Sequence, residues 1–146
     1  MQKKFALTNE TRVFGNHTLY RIKALKDFSD IKAGTLGGFI EKEDNLSHDG
    51  NCWVYDEALV FKNGHVYENG RGYDNAIIAG YVYDNAYVYD NARVYENARI
   101  ANNVHVYDNA YIHGIAVIRE NVGGFTKIKT YTERLSPYSE LEIVWV

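Results

Sequence analysis

The sequence predicts an all-β solenoid, and three observations carry that expectation. From Trp53 to Val122 the chain reads in sixes: WVYDEA, LVFKNG, HVYENG, RGYDNA, then after IIAG, YVYDNA, YVYDNA, RVYENA, RIANNV, HVYDNA, YIHGIA and VIRENV. Eleven such units and one tetrad mark a stacked repeat architecture. Apolar spacing at the 3.6-residue helical period is absent, which excludes an amphipathic helix. Alternation never outlasts three residues, which excludes a hairpin array. Units that each bury one side must share a core with the next coil.

Residues 1–52 are expected to form a β-rich N-terminal cap and a first irregular coil, because solenoid ends expose core and strand edges. Residues 11–14, Gly15-Asn16 and residues 17–22 read as a hairpin with a two-residue turn. Ala33-Gly34-Thr35 and Gly37-Gly38 mark further turns. Counting back in sixes from Ala58 through Cys52 and Leu46 to Ile40 extends one column and starts the first coil near residue 37.

Residues 53–122 are the repeat. Its second position is β-branched almost throughout (Val54, Val60, Val66, Ile78, Val82, Val88 and onward), which suits a buried strand position. Its sixth position is small (Ala58, Gly64, Gly70, Ala76, Ala86 and onward to Val122) and is expected to point inward where space is tight. Its fifth position is mostly Asn, a residue that tolerates left-handed backbone and is expected to make the corner. Residues 123–146 are expected to be a β-rich C-terminal cap. Residues 125–131 and 141–146 alternate like a strand pair, with Ser136-Pro137 as the break.

The unit resembles the hexapeptide repeat of left-handed β-helix proteins: an aliphatic residue, a small or acidic one, two variable, a small one, one variable. Val88-Tyr89-Asp90-Asn91-Ala92-Arg93 fits except that Tyr stands where the family prefers Gly, Ala, Asp or Glu. The resemblance implies a left-handed parallel β-helix, three hexads and so 18 residues per coil. The lead-in from Leu36-Gly37-Gly38-Phe39-Ile40-Glu41 to Asn51-Cys52-Trp53-Val54 is similar to small phage and prophage hexapeptide proteins labelled transferases.

With 18 residues per coil, and 16 where IIAG shortens one, Tyr55, Tyr73, Tyr89 and Tyr107 fall in one line beside Asp56, Asp74, Asp90 and Asp108. Tyr67 and Tyr83 start a second line, interrupted by Ala101 and Arg119, and Tyr95 and His113 fall on the third. Tyr alternates with the inward Val and is expected to face outward. Stacked rings stabilise solenoids by about 0.5–1 kcal/mol per pair, so a structural role is open. A contiguous aromatic face is uncommon on a monomer, so a protein partner or a second copy, as a dimer or trimer, is the functional expectation. The stacked carboxylates would repel, and Ca²⁺ would relieve that, but the corner lacks the Gly-rich nonapeptide of calcium-binding β-rolls. No metal and no cofactor are expected.

Composition narrows the classes. The net charge of −3 excludes a strongly basic nucleic-acid binder. Within residues 53–122, nine acidic and five basic residues give −4, a modest acidic stripe. The single Cys52 excludes internal disulfides and Cys-based zinc sites, and its place in the small column implies burial. No apolar run approaches the roughly 18 residues of a membrane span. The N-terminus lacks an apolar h-region, so no secretory signal and a cytoplasmic location, in a bacterial or phage-infected cell, are expected.

Many left-handed β-helix proteins are acyltransferases, so the resemblance makes His65, His105 and His113 candidate general bases. They fall on three different lines, which gives no support to a His₃ zinc site. No loop protrudes between hexads to wall off a substrate, and no catalytic residue is expected. The sequence therefore points to a non-catalytic protein-binding module. From the phage resemblance, one concrete version is an inhibitor that occludes a bacterial defence complex. An acyltransferase-like enzyme and a self-assembling solenoid are the alternatives.

Overall fold

The computed structural model describes residues 2–130 and 141–145, and it is all-β apart from one 3-10 turn at Glu43–Asn45. No helix among these residues is long and apolar enough to cross a membrane. Three longer strands come first: β1 (Phe5–Phe14), β2 (His17–Ala24) and β3 (Leu36–Ile40). Short strands follow: β4 (Trp53–Val54), β5 (Leu59–Val60), β6 (His65–Val66), β7 (Arg71–Gly72), β8 (Ile77–Ile78) and β9 (Tyr81–Val82). The series continues with β10 (Tyr87–Val88), β11 (Arg93–Val94), β12 (Arg99–Ile100), β13 (His105–Val106), β14 (Tyr111–Gly114) and β15 (Val117–Ile118). The chain then closes with β16 (Thr126–Thr130) and β17 (Leu141–Trp145). The Ser136-Pro137 break, Tyr131 and Val146 lie outside the described residues.

The short strands stack into three parallel sheets, the sides of a solenoid of about five turns. One side is β4, β7, β10 and β13; a second is β6, β9, β12 and β15. The third, β3, β5, β8, β11, β14 and β16, is extended by antiparallel β2 and β1 at one end and β17 at the other. Pairing Trp53 with Arg71 is an 18-residue step, and pairing Arg71 with Tyr87 is the 16-residue step that IIAG dictates. The same pairings put the second-position residues inside: Val54, Val60, Val66, Ile78, Val82, Val88, Val94 and Ile100 are 0% exposed. Each such side chain contributes roughly 1.5–3 kcal/mol by leaving water. Gly72 is the exception in that column, and Ile78 Cδ1 lies 2.9 Å from where its Cβ would stand. The small column is equally buried, with Cys52, Ala58, Ala76, Ala86, Ala92 and Ala98 at 0% exposure.

The structure corrects the repeat at three places. The left-handed corner residue is the fourth of each hexad, not the Asn. Asp56, Lys62, Glu68, Asp74, Asp84, Asp90, Glu96, Asn102 and Asp108 have φ between +51° and +62°. The reason lies in the ladder: this backbone N–H turns away from the coil above, and a side chain from the coil below takes it. Asp74 N–H donates to Asp56 Oδ2 (3.1 Å), Asp90 N–H to Asp74 Oδ2 (3.1 Å), and Asp108 N–H to Asp90 Oδ2 (3.0 Å). The aspartate line is thus a set of backbone acceptors between coils.

Second, Ile40 and Leu46 stand opposite Val60 and Val66, in the aliphatic column and not the small one. The loop between Leu46 and Trp53 shifts the count by two residues, and the coil starts within β3. Third, Val122 pairs with Val106, so residues 117–120 form a second tetrad and Val122 is aliphatic too. Valine suits both columns, which hid this shortening.

The hairpin has the expected two-residue turn, with Phe14 opposite His17 and Gly15 at φ +62°, as a type II′ turn requires. It reaches back to Phe5 and packs on the outside of the long sheet. Leu19, Phe39, Leu59, Phe61 and Ala79 form a second, smaller core there, flanked by Phe14, Ile77 and Tyr95. Arg21 ties the hairpin to the coils: it donates to the Gly37 carbonyl (2.7 Å) and the Asp56 carbonyl (3.2 Å), and stacks over Phe39 at 4.3 Å. Lys4, fully buried, donates Nζ to the Cys52 carbonyl (2.7 Å) and Sγ (3.2 Å) and lies over Phe28 at 4.9 Å. Burial lowers its ammonium pKa.

Candidate functional site

The hairpin turn is a wall that the hexads themselves do not provide. Phe14, Gly15, Asn16 and His17 stand over the long sheet and enclose a groove of about 650 Å³ with Phe61, Lys62, Asn63, Ala79 and the corner residues Tyr95, Glu96 and Asn97. That volume is in the range of small-molecule sites. Phe61 is its floor. Three rings meet it edge-on: Phe14 at 5.3 Å, His17 at 5.1 Å and Tyr95 at 6.1 Å.

His17 Nδ1 lies 2.8 Å from Glu41 Oε2. A carboxylate only accepts, so Nδ1 carries a proton; in the neutral ring Nε2 then holds the lone pair, and it has no partner among the described residues. Glu41 is itself fixed. Its Oε1 accepts the N–H of Lys62, 2.7 Å away, the same corner service that the aspartates give higher up. Burial pushes the Glu41 carboxyl upward, but the bonds from His17 and from the Lys62 N–H outweigh it and leave the pKa lowered. Buried Asn45 holds the chain on either side: its Oδ1 accepts the N–H groups of Glu41 (3.1 Å) and Lys42 (2.8 Å), and its Nδ2 donates to the carbonyls of Lys62 (3.2 Å) and Gly64 (2.8 Å).

The histidines picked from the repeat serve other ends. His65 Nδ1 donates to the Asp44 carbonyl at 2.6 Å. His105 Nδ1 meets Tyr89 Oη at 3.2 Å. His113 is buried at 6% exposure beside Glu96 (3.6 Å), with its ring centroid 4.6 Å from that of Tyr111. Cys52 is buried as expected, and burial raises its thiol pKa. Repeat counting missed His17 and Glu41 because nothing in the hexads points to the hairpin. The one usable signal was His17 flanking the Gly15-Asn16 turn.

The tyrosine lines fall where the pairings put them, but the first is not continuous. Tyr55 stacks on Tyr73 (4.2 Å, 18°) and Tyr89 on Tyr107 (5.6 Å, 13°). Tyr73 does not stack on Tyr89 across the 16-residue step; it meets Tyr87 instead at 6.1 Å and 58°. Tyr55 is also claimed by the N-terminal cap, donating Oη to Asp30 Oδ1 (2.9 Å) and accepting from Arg71 Nε (3.3 Å). On the second line Tyr67 stacks on Tyr83 at 4.9 Å and 9°. Asp56, Asp74, Asp90 and Asp108 edge an open trench with Glu57 and the neighbouring asparagines.

No family model matches the chain. A 70-residue stretch is 39% identical to an uncharacterized acetyltransferase, YdcK, of Escherichia coli (strain K12), covering 42% of this chain and 22% of that protein. The chain therefore spans less than a quarter of that relative's length. The partial match and the parallel β-solenoid together fit a hexapeptide-repeat family.

Proposed function

We propose that the protein is an acyltransferase-like hexapeptide solenoid in which His17, backed by Glu41, is the general base. The observation that carries this reading is the His17–Glu41 pair at the wall of the groove under the hairpin turn. An acceptor hydroxyl or amine in the groove passes its proton to His17 Nε2 while its oxygen or nitrogen attacks the carbonyl carbon of an acyl thioester. The C–O or C–N bond forms, the C–S bond breaks, and the proton goes from the imidazolium to the departing thiolate. Glu41 keeps the tautomer and steadies the imidazolium. Phe61 and Phe14 supply apolar contact. The relative named an acetyltransferase supports the reaction class.

Thiol release from acetyl-CoA with small amine and hydroxyl acceptors tests it. His17→Ala should lower kcat/KM by about 10²–10⁴-fold, whereas His65→Ala and His105→Ala should leave it unchanged. No turnover by the unmodified protein, or full turnover by His17→Ala, rejects the proposal.

The second reading, non-catalytic binding of a protein partner, is favoured by the half-buried row Tyr73, Tyr87, Tyr89 and Tyr107 on one side. Tyr89→Ala combined with Tyr107→Ala should then abolish partner binding and leave the β-type circular dichroism intact. Its narrower form, a phage-encoded inhibitor of a defence complex, gains nothing from a match to a bacterial protein named for acetyl transfer.

A further inference from the structure

We propose that the break in the tyrosine line is a binding site for an alkylated ammonium group. The break is a cleft of about 280 Å³ lined by Tyr73, Asp74, Tyr87, Tyr89 and His105. Its rings are inclined to one another, unlike the stacked pairs on either side. Tyr73 and Tyr87 meet at 58°, Tyr87 and His105 at 62° with centroids 4.7 Å apart, and Tyr89 and His105 at 88°. Inclined rings form walls, whereas parallel rings fill the space between them.

The break falls at the 16-residue step but does not follow from the step alone, because Tyr67 and Tyr83 stack at 4.9 Å across the same shortening. What differs on this side is Tyr87, whose ring Tyr73 meets instead of that of Tyr89. Aromatic faces carry negative potential and attract cations, and a carboxylate at the rim adds a full charge. Asp74 supplies it: its Oδ2 takes the Asp90 N–H, and its Oδ1 has no partner among the described residues.

The chemistry of the walls selects among cations. The Tyr89 hydroxyl is already joined to His105 Nδ1 at 3.2 Å, so few oxygens remain for a hard metal ion, which needs six or more. A methylated ammonium needs no hydrogen bonds and loses little hydration. Tyr87 already has the Arg71 guanidinium 5.9 Å from its centroid, and Arg71 is held by Tyr55 Oη (3.3 Å) and Ser29 Oγ (3.1 Å). That guanidinium repels a second cation, and the Asp74 carboxylate at the rim offsets it.

Titration of the protein with choline, followed by the ring-proton signals of Tyr87 and Tyr89, tests the site. Saturable shifts are expected, with the neutral isostere 3,3-dimethylbutanol at least about tenfold weaker. Tyr87→Leu should weaken choline by about tenfold. Asp74→Asn keeps an oxygen for the Asp90 N–H, so it should fold, and it should weaken choline several-fold. A peptide carrying trimethyl-lysine, run beside choline, separates a modified protein side chain from a free small molecule as the source of the group. Equal binding of the isostere and choline, or no saturable shift with either ligand, overturns the proposal.

Discussion

Two sides of the column carry aromatic residues on the same two outward beats of the repeat, the first and the third, and end in different states. On the long sheet, Phe39, Leu59 and Phe61 are roofed by the hairpin and form a second core. On the side made by β4, β7, β10 and β13, Tyr73, Tyr87, Tyr89 and Tyr107 stay half-buried and meet mainly one another and His105. The residue types follow the outcome: Phe and Leu where the cover is apolar, Tyr where a hydroxyl must reach water or a polar partner. An outward position on a solenoid is therefore a place whose burial the rest of the chain decides.

Truncating one ring on each side measures that difference. Phe61→Ala should cost about 3–5 kcal/mol, because it empties the floor under Phe14, His17 and Tyr95. Tyr89→Ala should cost about 1–2 kcal/mol, since it loses one stacked pair and the bond to His105 and leaves the inner column alone. Denaturant unfolding of both variants checks this, and equal losses would abolish the distinction between the two sides.

Alkaline titration sharpens it. Burial raises the pKa of Tyr67, Tyr73, Tyr89 and Tyr95 in the folded chain. A raised folded value means that the folded state holds the proton more tightly. The associated stability is fully present below the unfolded value of about 10 and is lost as pH climbs through the folded values. Lys4 works in the opposite direction: its lowered pKa makes stability rise between its folded value and the ordinary lysine range. Phenolate absorbance and circular dichroism should therefore change together above about pH 10. Phenolates that ionise near 10 with the fold intact would show that the rings are more open than their packing implies.

The corner carries a smaller effect than the floor ring does. Asp90→Ala removes the acceptor of the Asp108 N–H and leaves an alanine at φ +57°, a loss of about 1–2 kcal/mol. Asp90→Asn keeps both the acceptor and the tolerance of left-handed backbone, so its melting temperature should stay close to the parent's. A melting temperature for Asp90→Ala equal to that of the parent would remove the acceptor role from the aspartate line.

What the sequence disclosed follows from the same physics. The coil length, the shortening at IIAG and the alignment of Tyr55 with Tyr73 were all legible, because β-branched and small residues admit few alternative places. The shortening at residues 117–120 was not, because Val122 is acceptable in either column. Nor was the corner: Asp and Asn share a taste for positive φ, and only the orphaned N–H of the next coil assigns it to Asp. The His17–Glu41 pair lies further from view, because it joins the tip of a hairpin to the first coil and belongs to no repeat. The groove is therefore written in the irregular part of the chain, and the regular part supplies the platform.

The carboxylate bonds at the corners all run one way, from Asp56 to the amide of residue 74, from Asp74 to that of residue 90, and from Asp90 to that of residue 108. Every storey is thus clamped by the one made before it. The backbone ladder runs the other way, Tyr55 N–H donating to the Gly72 carbonyl and Tyr89 N–H to that of Val106, so each ring is completed only when the next is laid on it. A lesion in mid-stack should therefore loosen the storeys on both sides of it.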